Sequence, residues 1–294
     1  MRGFITFLSI FTGFFFLIPA LFIQKAQDPT PIPTDPPRQQ AQFLPQTLRK
    51  EGKTVATADL LTEMMAAMDL CGYQEESLKA AAVAAATLLA ETYERQGNAD
   101  GLSTCSAAEA KAAWGNYWFE TYWTELQQAV TDTWGQRLTV NGATALGIRT
   151  FPLSWGKTAE GIACPYDFTS NDFETQITVS LTQFKTVFSD YKNTLSVKKS
   201  QSGRVETVTS GSTVLTGEET AERFELPSLS FSIAIKDVAV FTCYGQGNGE
   251  GMSLYAANEL AKRGSTYEEI LAYFYPHAVL SGPDQEAYRE AGST

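Results

Sequence analysis

Gly245-Gln-Gly-Asn-Gly-Glu-Gly-Met-Ser-Leu-Tyr-Ala-Ala257 sets four glycines at alternate positions over seven residues, then opens an apolar helix-forming run. A strand interior gains nothing from residues without side chains, so a loop of this kind belongs where backbone must come close to backbone or to ligand. It is not a phosphate loop, because the GK[ST] ending and a preceding βαβ unit are both missing. Downstream, the sequence predicts a helix from Met252 that stops at Gly264, with Lys262 and Arg263 in its last turn. Ser265 and Glu268 then read as a capping box for a second helix, which runs toward Tyr275-Pro276.

Upstream, strand signals come first. Asn141-Gly142 is a two-residue hairpin turn between RLTV and ATALGI, and Ser210-Gly211-Ser212 is a second turn. Alternating segments fall at 175–180, 205–208, 231–235 and 238–243, interrupted by a short helix over 180–189. Helices precede them. Residues 57–96 show apolar spacing of three to four (Leu60, Leu61, Met64, Met65, Met68) and then the run AAAVAAATLLA, which reads as two helices joined around Cys71-Gly72-Tyr73. The second is small-residued nearly all round, so it must pack tightly at the centre of the domain. A third helix over 107–131 carries Trp114, Tyr117, Trp118, Phe119, Tyr122 and Trp123. The 114, 118, 122 spacing predicts a buried face; stacking on sugar rings is the other reading. The fold class is therefore α+β, helices first and a mostly antiparallel set of strands after.

Composition narrows the chemistry. The 294 residues carry 22 Lys and Arg against 33 Asp and Glu, a net charge of −11, which excludes a polyanion such as nucleic acid as the partner. The single histidine, His277, removes His-rich zinc and two-His iron sites; its place after Tyr275-Pro276 marks it as a surface residue at a helix end. Cys71, Cys105, Cys164 and Cys243 form no CxxC pair, so they allow one or two disulfides or serve as buried apolar residues. Residues 4–23 are uncharged and apolar, about the length that crosses a bilayer, and are expected to remain as an anchor rather than be cleaved as a signal peptide. The organisation expected is an anchor over 1–25, a Pro-rich spacer over 26–50, and one domain over 51–294 held outside the cytoplasm.

The glycine block with its helix and Tyr275-Pro276 resembles the stage II sporulation protein D (SpoIID/LytB) family, whose signature has the form GHGVGMSQYGA followed by a segment ending in YYP. Glu76-Ser-Leu-Lys-Ala80 with AAVAAATLL is similar to the family's EALKAQAVAARTY. Trp114-Gly115-Asn116, residues 129–133 with Gly135, Cys164-Pro-Tyr-Asp167 and Ser202-Gly-Arg-Val205 follow in the family's order. The resemblance implies a SpoIID-like helix-plus-antiparallel-sheet ectodomain behind an N-terminal transmembrane helix. It also implies work on peptidoglycan in sporulation or wall remodelling, where active members are lytic transglycosylases that cut strands stripped of stem peptides.

Such cleavage needs a carboxyl that first gives and then takes a proton. Aligned on the family's AAEMP motif, Ala67 stands at the catalytic Glu, with Met68 and Asp69 after it. The Arg ending AVAAR is Ala86, the Gln of ALKAQ is Ala81, and the family's CxxxHCQ segment keeps Cys105 but has Glu109, Ala110 and Lys111. Asn248 replaces the His of GHGVG, Pro227 the Arg of LRS, and residues 147–155 (GIRTFPLSW) a serine- and glycine-rich loop. No cofactor and no metal are expected. The expected role is binding of glycan strands, or of a wall-hydrolase or engulfment partner, with Glu109, Lys111, Trp114, Asn248 and Ser253 as glycan contacts. A rebuilt transglycosylase is the alternative, with Glu63, Asp69 and Glu250 as its carboxylates.

Overall fold

Ala80, Ala81, Ala82, Val83, Ala84, Ala85 and Ala86 are between 0% and 6% exposed, which only close approach of neighbouring elements on every side allows. They belong to α2 (Glu75–Gln96), which ends where Gly97 turns left-handed and gives its N–H to Tyr93. In the computed structural model, which describes residues 43–282, α2 contacts α1 (Thr57–Ala66), α3 (Ala107–Asp132), α6 (Leu254–Lys262) and α7 (Tyr267–Phe274). The expected anchor and the spacer up to residue 42 lie outside the described residues, among which no helix is long and apolar enough to cross a membrane.

Around this helical body lie small sheets. β1 (Thr47–Lys50) and β2 (Lys53–Ala56) form a hairpin that buries Leu48. β3 (Arg137–Val140) and β4 (Ala143–Thr144) meet across Asn141-Gly142 as the turn chemistry predicts, and Leu138 donates its N–H to Thr87 Oγ1 of α2 at 2.9 Å. β13 (Val279–Ser281) pairs with β3 on its other side.

Between β5 (Thr150–Phe151) and β12 (Met252–Ser253) the chain leaves to build a second lobe. β6 (Glu174–Ser180), β10 (Phe231–Ile235) and β11 (Val238–Tyr244) form one antiparallel sheet; β7 (Ser196–Lys199), β8 (Val205–Ser210) and β9 (Thr213–Thr216) form another. Ala239, Phe241 and Cys243 alternate inward along β11. With α4 (Leu181–Val187) and α5 (Gly217–Phe224) they enclose a core of stacked phenylalanines, Phe224 and Phe241 being 4.7 Å apart between ring centroids. Gly245 N–H donates to Phe173 O at 2.8 Å, so the two ends of the lobe meet. The cysteines are all free thiols, and the two buried ones lie apart, Cys164 in the helical core and Cys243 in the phenylalanine core.

Two expectations are corrected. The capping box of α7 is made by Thr266 and Glu269, one residue beyond the expected Ser265 and Glu268, since Thr266 Oγ1 accepts from Glu269 N–H and Glu269 reaches back to Thr266 N–H. The aromatic face of α3 is not buried as a whole. Gly115 has φ 76° and ψ 160°, a region in practice reserved for glycine, so the helical count from Trp114 to Trp118 is broken. Trp114 and Trp123 rest against the helical core, whereas Tyr117 is 78% and Trp118 51% exposed. Outside the core, Trp118 lies stacked on Tyr122 at 5.4 Å.

Candidate functional site

The alternating glycines approach one partner, residues 149–155. A Cβ on Gly251 would stand 2.0 Å from Arg149 O, and one on Gly249 would stand 2.2 Å from the Trp155 ring. The loop lies along this segment, and α6 behind it packs on α2. The contact becomes a short parallel ladder, Met252 facing Thr150, and Arg149 O accepts both from Met252 N–H at 3.0 Å and from Tyr275 Oη at 2.5 Å. Tyr275 therefore holds the segment from a third element.

A buried carboxylate ties the same pieces together. Asp167 is fully buried, and its Oδ2 accepts from Ser154 N–H and Ser253 Oγ, each at 2.7 Å. Its Oδ1 has no hydrogen-bond partner among the described residues. Burial pushes this carboxyl above its ordinary range, partly offset by the two serine hydrogen bonds. Ser253 also caps α6 by accepting from Ala256 N–H, so this expected glycan contact is a buried structural hydroxyl with no face to offer a strand.

Beside the segment opens a cleft of about 720 Å³, within the range of small-ligand sites. Met64, Met68, Leu88, Phe151 and Leu254 make its apolar walls, and Ala67 lies on its rim. Asp69, Thr92, Arg95, Asp100 and Arg149 supply its polar groups. Asp69 sits at φ 54° in the turn after α1, next to Cys71, whose thiol is pushed up to about 11 by burial and by that carboxylate. Asp100 Oδ1 accepts from Glu51 N–H at 2.5 Å.

The expected residues divide. Of the three candidate carboxylates only Asp69 lines the cleft. Glu63 is half-buried near Lys50, Asp59 and Glu109, and burial raises its carboxyl above the ordinary range. Glu250 turns toward the second lobe and pairs with Arg204 at 2.9 Å, which also holds Glu218. Glu109 closes a capping box with Ser106, which holds its carboxyl below the ordinary range; Lys111 sits 5.6 Å over the Phe119 ring, and Trp114 packs edge-on to Tyr122. Asn248 accepts from Glu250 N–H within the glycine loop. None of these four lines the cleft. Ala86 is likewise on the far side of α2, beside Leu44, Leu61 and Val130, so its lack of an arginine does not alter the cleft. His277 is exposed.

A metal does not fit at Cys105. Ala110 is buried and brings no donor, Lys111 brings a cation, and among the described residues no three His, Cys, Asp or Glu side chains converge. Arg95 and Arg149 were missed by sequence reasoning. Arg149 lay in the noted GIRTFPLSW loop, yet only the long-range pairing with Met252 brings it to the cleft.

A family model described as stage II sporulation protein matches residues 50–140. Stage II sporulation protein D of Bacillus subtilis (strain 168) is 27% identical over 203 residues, 61% of this chain and 57% of that protein. Both matches support a divergent member of the stage II sporulation protein D family. The matched family region runs from β1 to β3, and so holds Ala67 and the whole of α2. The match spans little more than half of the Bacillus relative's length.

Proposed function

We propose that this protein binds peptidoglycan glycan strands, or a hydrolase that works on them, during sporulation or wall remodelling, and does not cleave the strand by the family's route. It would act from a single-pass membrane anchor, with its domain outside the cytoplasm. One observation carries the reading: Ala67, which aligns with the family's catalytic acid, lies among the residues lining the cleft of about 720 Å³, where a carboxyl would otherwise meet ligand. General acid–base groups contribute about 10²–10⁴ in rate, and with alanine at the aligned position the family's route loses that contribution, which favours binding in this cleft. The test is co-sedimentation of the purified protein with insoluble, peptide-stripped peptidoglycan, with release of soluble anhydro-muropeptides followed in parallel. Retention without release is expected; turnover by the unaltered protein overturns the reading.

The rebuilt transglycosylase has one observation in its favour. Burial holds the Glu63 carboxyl above its ordinary range, as a general acid requires. Its place on α1 is toward Lys50 and Glu109 and outside the lining of the cleft, so a strand bound there would not meet it. Turnover that Glu63→Gln abolishes would establish this alternative.

A further inference from the structure

We infer that the chain's own C-terminal segment, from Pro283 onward, seats on the apolar groove between Phe43 and Trp134 with its carboxylates on Arg137, as a strap that fastens the end of the domain to its beginning. The groove shares no lining residue with the cleft, so the strap stands apart from whatever binds there.

The groove has an apolar floor and an unsatisfied polar edge. A small pocket of about 20 Å³ has buried Leu44, Leu61 and Val130 beneath it and Phe43, exposed Trp134 and Gly135 around it. In the two residues that follow Gly135, Gln136 Oε1 and Arg137 Nε are buried without a hydrogen-bond partner among the described residues. Buried polar atoms are nearly always paired in folded proteins, so one donor and one acceptor are called for here. The Arg137 guanidinium lies over the Phe43 ring, 4.6 Å from its centroid, which stabilises the cation but supplies no acceptor.

The last described residues run into the same place. In the antiparallel pairing of β13 with β3, Ser281 faces Arg137, and a Cβ on Gly282 would stand 2.9 Å from Gln136 Cγ. Successive partners fall one position earlier along β3, so the chain that continues past Gly282 is aimed at Gly135 and Trp134. Pro283 suits that departure: it has no N–H to give a ladder, and its apolar ring can lie on the exposed indole.

Charge chooses the occupant. Residues 283–290 carry Asp284, Glu286 and Glu290 against Arg289. The other adjoining segment, residues 25–42, balances Lys25 and Arg38 with Asp28 and Asp35 and so offers Arg137 no net attraction. A carboxylate tethered two to four residues beyond Gly282 also meets Arg137 at a high effective concentration, which one on a separate molecule lacks. The tail then supplies both missing partners, a carboxylate oxygen for Arg137 Nε and a backbone N–H for Gln136 Oε1.

Hydrogen exchange on the full-length chain, read by mass spectrometry, tests the strap. Amides from Asp284 to Glu290 should exchange about tenfold or more slowly than in a synthetic peptide of residues 279–294. Trp134→Ala should return them to the peptide's rate while the amides of α2 keep their protection. Asp284→Asn combined with Glu286→Gln, a change confined to the tail, should remove most of the protection. Peptide-like exchange over 284–290 in the unaltered chain overturns the strap, and protection undiminished in both variants overturns its seat on Trp134 and Arg137. Protection over 35–42 in place of 284–290 gives the groove to the upstream segment, and protection lost on about hundredfold dilution gives it to a second copy; either result overturns the inference.

Discussion

The helical body and the sheet lobe solve the same packing problem with opposite materials. The body closes on α2 with buried alanines; the lobe fills its interior with Phe184, Phe188, Phe224, Phe231 and Phe241. A core of small side chains tolerates no added volume, and a core of rings tolerates no removed volume. The family match, residues 50–140, falls in the alanine-built part, as does the position of Ala67. Chemistry at one rim residue could change while the buried frame behind it stayed intact.

The largest expected effect is in the lobe. Phe241→Ala should cost about 3–5 kcal/mol of its stability, read as accelerated hydrogen exchange in β6, β10 and β11. Amides of α2 should keep their protection; equal loss in both regions would mean that the two cores melt as one. In the body, Ala81→Leu should cost about 1–3 kcal/mol by overpacking, measured as a lower urea midpoint. An unchanged midpoint would contradict the tight packing of α2.

Asp167 sharpens the comparison from the polar side. A folded carboxyl that binds its proton more tightly than the unfolded chain makes stability fall as pH rises from the unfolded value to the folded one. From the ordinary 3.8 upward, the unaltered protein should therefore lose stability that Asp167→Asn does not lose, seen in urea midpoints taken across the acid range. Parallel pH profiles for the two proteins would remove Asp167 from the account. The smallest effect is at α7, where Thr266→Ala should cost about 1 kcal/mol and Ser265→Ala nearly nothing. The reverse order would restore the expected box at Ser265.

Local patterns were legible and long-range ones were not. The Asn141-Gly142 turn, the alternation along 238–243 and the small-residue run of α2 each report a period or turn that needs no distant partner. The alternating glycines announced a close approach but could not say to what, because the 149–155 segment lies about a hundred residues away. Trp118 was misplaced because the helical period was carried across Gly115, whose backbone breaks it. At the site, Ala67 lines the cleft, whereas Glu109, Lys111 and Ala86 fall elsewhere, since alignment records which residue changed and not which way it faces.

The hydrogen bond between Gly245 and Phe173 carries a consequence for the architecture of the chain. It brings the start and finish of the lobe to one point, so in topological language the lobe is a detour and the body a closed circuit. The entropy of closing a detour grows only with the logarithm of its length. Additions to the lobe's turns, such as that at Gly211, should therefore pass almost unnoticed by the cleft. Length added at the lobe's outer turns leaves what surrounds Arg149 without need of redesign.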